Sequence, residues 1–165
     1  TSDGRIQCAR VEAETLDHNS SIGGIALIVI GTTSCTAQTS DGSITLANVR
    51  TENLTLRSSD GGIRCQEIAA TRMNCRTSDG SVHIACAADA PNVIDATVTT
   101  SEGSITFTAP QGFSAVVDAS TKDGSIHTAL PITVEGKVGK SLHGTIGAGE
   151  GRLVLKTHDG SITIK

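Results

Sequence analysis

The chain has 165 residues and a formal net charge of −4, from 13 basic and 17 acidic side chains, with no Trp, no Tyr and only two Phe. That balance argues against nucleic acid, which needs a basic face for its phosphates and rings on which bases stack. The most apolar run, Ile25 to Ile30, falls far short of the roughly 20 residues a membrane-spanning helix needs.

In chain order, one phrase keeps returning: Thr39-Ser40-Asp41-Gly42-Ser43-Ile44 and near copies of it. Its glycines stand at Gly4, Gly23, Gly42, Gly61 and Gly80, each 19 residues after the last, and then at Gly103, Gly124 and Gly160. A weaker copy surrounds Gly144. A fixed period of about 20 residues predicts a solenoid, one repeat per turn of the coil. Within the repeat Thr39 to Arg57, Ser40-Asp41-Gly42-Ser43 reads as a turn, with Asp bonding its own backbone and Gly taking positive φ. Ile44-Thr45-Leu46 and Leu54-Thr55-Leu56 alternate as strands, separated by a bend at Ala47-Asn48 and a corner at Thr51-Glu52-Asn53.

Stacking the copies aligns apolar columns. Two residues after each glycine stand Ile6, Ile25, Ile44, Ile63, Val82, Ile105, Ile126, Ile146 and Ile162, the expected core ladder. Four after stand Cys8, Leu27, Leu46, Cys65 and Ile84, and further inward columns run through Leu16-Cys35-Leu54-Met73 and His18-Ala37-Leu56-Cys75. The residue between the first two columns is polar and expected to face water. The expectation is a single all-β domain, residues 1–165, a β-solenoid (β-helix) of about nine rungs. Wider later repeats should bulge at Ala88 to Asn92 and at Pro110-Gln111-Gly112.

The phrase T-S-[DE]-G-S-I, with the closing series Phe107 to Phe113, Val116 to Ile126, Leu142 to Gly147 and Leu153 to Ile162, resembles the adhesin-labelled family of bacterial β-solenoids, domain of unknown function 4097. The resemblance covers essentially the whole chain. It implies a module of the cell envelope or cell surface, with any signal peptide or anchor outside this chain, and it brings no catalytic residue with it.

Candidate chemistry is sparse. Acidic residues precede the turn glycines, and Asp41, Asp60 and Asp79 are weak Ca²⁺ candidates, since a ladder offers about one carboxylate per rung where calcium wants several converging oxygens. Asp-Gly is also ordinary turn chemistry. Of the five cysteines, Cys35, Cys65 and Cys75 read as buried hydrophobes and Cys86 as the exposed thiol; Cys8 and Cys65 share a column too far apart for a disulfide. His83 and His127 are expected two rungs apart, and His143 and His158 near neighbouring turns. No pattern of nucleophile and base or of phosphate loop appears, so no enzyme and no cofactor is expected. The expected function is a non-catalytic structural or adhesive module, with itself or another envelope component as partner. One alternative is a filament subunit stacking head to tail through Thr1, Ser2, Ile6, Ile162 and Ile164. The other is an envelope-stress sensor that binds lipids or cationic peptides on the acidic turn edge.

Overall fold

The computed structural model describes residues 4–134 and 139–165, all strands and turns. Four long strands each make one turn of the coil: β1 (Ile6–Ser20), β2 (Ile25–Thr39), β3 (Ile44–Arg57) and β4 (Ile63–Arg76). They pair in parallel at a 19-residue offset, Ile6 on Ile25, Ile25 on Ile44 and Ile44 on Ile63. Each bends six residues after its turn glycine, where Arg10, Val29, Asn48 and Glu67 hold φ of 53° to 57°. The fifth turn is split into β5 (Val82–Cys86) and β6 (Asp95–Thr99) by the wider loop expected near Pro91. Arg50 ties that loop down with a double hydrogen bond to Asp89 at 2.8 and 2.9 Å.

About five turns wind in sequence; the nine consecutive rungs expected from the repeats do not. The remaining strands are β7 (Ile105–Thr108), β8 (Ala115–Ser120), β9 (Ile126–Thr128), β10 (Thr133–Val134), β11 (Ser141–Ile146), β12 (Gly151–Lys156) and β13 (Ile162–Ile164). β7 stacks on β5, but β8 leaves the place beside β6 to the C-terminal strand β12, which pairs with β6 on one side and β8 on the other. β13 likewise lies between β7 and β9. The turn glycines therefore follow one another in space as Gly80, Gly103, Gly160 and Gly124. The last rung carries the same apolar pattern as its neighbours, with Ile162 between Ile105 and Ile126 and Leu153 between Ala96 and Val117, so it fits between them. The loop holding Pro110 and Gly112 lifts the chain past the vacant level, with Phe107 and Phe113 packed at 5.8 Å beside it.

Two expectations fail here for that reason. Ile162 and Ile164 are fully buried with a strand on either side, so they form no end of the molecule and cannot make a head-to-tail contact. Ile146 is buried but does not continue the isoleucine ladder: β11 runs antiparallel to β8 and sets Ile146 opposite Ala115, with β10 antiparallel beyond it. Gly144 is thus a mid-strand residue, not a turn. Thr1 and Ser2 lie outside the described residues. Ile6 belongs to β1, whose strand partner among the described residues is β2 alone.

The core is a narrow column. Ile25, Ile44, Ile63, Val82, Ile105 and Ile162 are at most 1% exposed and Ile126 is 8% exposed, while Ile6, Cys8, Val11 and Leu16 in the first turn are only partly buried.

Candidate functional site

The turn edge is built from the repeated phrase itself. The Thr39 hydroxyl accepts the Gly42 N–H at 3.3 Å and donates to the Gly23 carbonyl of the turn below at 3.0 Å. Ser58 does the same for Gly61 and Gly42, both at 3.0 Å, and Thr77, Thr100, Thr157 and Thr121 each donate to the glycine carbonyl of the neighbouring turn. The acidic residue adds its own backbone: Asp41, Asp60 and Asp79 donate their N–H to Ser21, Ser40 and Ser59 carbonyls. Thr or Ser and Gly are therefore explained by the stacking of turns, to which the acidic residue contributes through its backbone.

The glycines are required for a reason other than the one expected. Gly23, Gly42, Gly61 and Gly80 are not in the positive-φ region. A Cβ at any of them would come within 2.4 Å of the glycine carbonyl oxygen one turn below. Successive turns approach too closely for any side chain, and Gly103, Gly124 and Gly160 show the same contact. Gly4, the lowest of the column, lies under Gly23.

The carboxylates of Asp41, Asp60 and Asp79 are exposed, one per turn, and do not converge. Among the described residues, the group with ligand atoms within 4.8 Å of one another is Asp123, His158 and Asp159, all exposed. It arises because the inserted rung brings Asp159 beside Asp123, which chain order conceals. His158 Nδ1 lies 3.3 Å from Asp159, and His143 Nδ1 lies 3.4 Å from Asp118 on β8, so each of these histidines has its own carboxylate. His83 and His127 are separated by both Thr106 and Thr163, one rung more than expected, because β13 intervenes. Burial lowers the His83 pKa, with Arg64 and Lys165 adding to the effect. His18 points into the core column above which Ala37 and Leu56 stand, and its Nε2 has no hydrogen-bond partner.

All five cysteines are free. Burial pushes the Cys35 thiol to about 11 and Cys75 to about 12, and raises Cys65 well above the ordinary value, with neighbouring thiols contributing to the last. Cys86 is not the exposed thiol expected of it. It packs against the core at the edge of the split turn, and burial raises it to about 12. These thiols are poor nucleophiles and poor metal ligands at neutral pH.

One feature escaped the sequence reading. Along the outward face of the strands that precede the turns runs a polar groove of about 710 Å³. Four residues before successive turn glycines stand Asn19, Gln38, Arg57, Arg76 and Thr99, all lining it, with Ser40, Ser59 and Ser78 on the turn side. That column, followed across the repeats like the apolar ones, sets the two arginines side by side.

No curated protein and no solved structure matches the chain at a significant level. The family model described as Toastrack DUF4097 matches residues 1–165, the same residues whose turns, ladders and C-terminal series carry the architecture above. The chain belongs to the Toastrack DUF4097 family.

Proposed function

We propose that this domain is a non-catalytic structural module of the bacterial cell envelope or surface, a stiff spacer that presents polar faces for adhesion or scaffolding. The observation that carries this reading is the uninterrupted ladder. From Ile25 to Ile162 the inward columns are buried, and on β3 and β4 the outward positions between them are mostly polar, while Ile28, Val29 and Val116 are exposed apolar exceptions elsewhere. Such a stack is stiff along its axis and offers long flat faces. The test is protease shaving of intact cells that produce the tagged full-length protein. Loss of the domain from unpermeabilised cells, with a cytoplasmic marker spared, is expected. Protection in intact cells together with cleavage after lysis would overturn the surface reading.

A further inference from the structure

The chain is acidic overall, yet its basic residues are unevenly placed. On the outward face of the strands preceding the turns stand Arg57, Arg72, Arg76, Arg152 and Lys156, all exposed. Asp95 is paired in register between Arg72 and Arg152, and Arg72 donates from Nε to Asn53 at 2.6 Å. Arg57 and Arg76 have no such relief. They face each other in register on β3 and β4, about 4.8 Å apart along the stack. Neither forms an ion pair with any described residue. Both line the same groove, where the Ser59 and Ser78 hydroxyls and the Asn74 and Gln38 amides supply further donors.

We propose that this groove is a binding site for a phosphate-type oxyanion held between the Arg57 and Arg76 guanidinium groups. Two planar forks approaching from adjacent rungs place their donors on two levels of the stack, which suits a tetrahedral group with three or more acceptor oxygens better than a flat carboxylate. The repulsion between two like charges one rung apart is relieved by the anion. The lining holds no aromatic ring, so the group is recognised by charge and hydrogen bonds, without stacking of a base. The groove continues past the arginines in both directions along hydroxyl and amide side chains, which suits a phosphate ester carried on a hydroxyl-rich chain as well as free phosphate. This inference is independent of where in the cell the domain resides.

Calorimetric titration of the whole chain at low ionic strength tests it, with inorganic phosphate and an oligomeric polyglycerol phosphate as probes. Binding of either, weakening as salt rises, is expected. Equal affinity per phosphate identifies a free-anion site, and tighter binding of the oligomer identifies a chain-borne phosphate. The double variant Arg57→Gln/Arg76→Gln should lose at least tenfold in affinity, while Arg64→Gln, on the strands after the turns, should lose none. Arg57→Lys/Arg76→Lys, which keeps the charge and removes the forks, should fall between wild type and the Gln variant. Both altered residues are exposed, and an unchanged thermal midpoint confirms that each variant is folded. No binding of either probe, or equal loss in Arg64→Gln, would overturn the proposal. Equal binding of single-stranded DNA would do so too, as it would indicate undirected charge attraction.

Discussion

The Gly61 Cα sits where a methyl group would lie 1.9 Å from the Gly42 carbonyl oxygen. Both partners are backbone, so nothing can rotate away. Gly61→Ala must push two turns apart and break the Ser58 to Gly42 hydrogen bond that joins them. A loss of about 3 kcal/mol or more is expected, above the usual range for overpacking because no side chain can yield. Gly112→Ala is the contrast: it has φ of 72° with nothing within 4 Å, and only the left-handed penalty of about 1 kcal/mol applies. Urea melts of the two variants decide the matter, and similar costs would show that φ rather than close approach sets the glycine requirement. The glycine column was legible in the sequence because a 19-residue period repeats it. Its cause was not, since positive φ and close approach both select glycine. The buried thiols give a second residue-scale expectation. Above about pH 9 an unfolded chain gives up thiol protons that folded Cys75 retains until about 12. Unfolding then releases protons, so this contribution to stability is complete below pH 9 and is lost as pH rises toward 12. Stability should fall above pH 9 by up to about 1.4 kcal/mol per pH unit for each such thiol. Cys75→Ala should flatten that slope, measured by urea melts at several alkaline pH values, and an unchanged slope would assign the pH dependence to other groups.

Each of the first four turns changes direction at one left-handed residue, and the four are chemically unalike: Arg10, Val29, Asn48 and Glu67. The strands on either side were legible from their alternation of apolar and polar residues. The bend at Asn48 was also legible, because Asn tolerates this region. Nothing in Arg10, Val29 or Glu67 marks a corner; tertiary stacking imposes on them the conformation that Asn48 adopts readily. Val29 is the most strained, because a β-branched side chain crowds its own backbone there. It is also 48% exposed, so it contributes little to the core. Val29→Asn should therefore stabilise the protein by about 1 kcal/mol. The check is the urea midpoint at constant m; a fall in the midpoint would mean that the Val29 side chain contributes more through packing than it costs through strain.

At the scale of the whole molecule, the columns could be read from sequence but their order could not. Ile105, Ile126 and Ile162 follow the same phrase and are equally good rungs, so periodicity alone places Ile162 at the end. The cationic groove was missed for a related reason: a net charge of −4 averages over faces that the coil separates. Order is fixed instead by non-local fit, with the C-terminal segment closing the gap between β6 and β8 and between β7 and β9. This has a consequence opposite to that for an ordinary repeat array, whose terminal unit touches one neighbour and is the most dispensable. Ending the chain after Glu150 removes Leu153, Leu155, Ile162 and Ile164, all 0% exposed. At about 2 kcal/mol for each buried side chain, the loss is on the order of 8 kcal/mol, comparable with the entire stability of a domain this size. It also leaves four strand edges unpaired in the middle of the stack. Deleting residues 1–19, one complete repeat, removes a rung whose described residues are only partly buried and whose strand pairs with β2 alone among the described residues. The N-terminal deletion should therefore keep a cooperative melt at a reduced midpoint. The C-terminal truncation should lose its cooperative melt and recover it when a synthetic peptide of residues 151–165 is added. If the truncated chain melts cooperatively without the peptide, at a midpoint no lower than that of the N-terminal deletion, the inserted rung is an accessory and the first five turns fold without it.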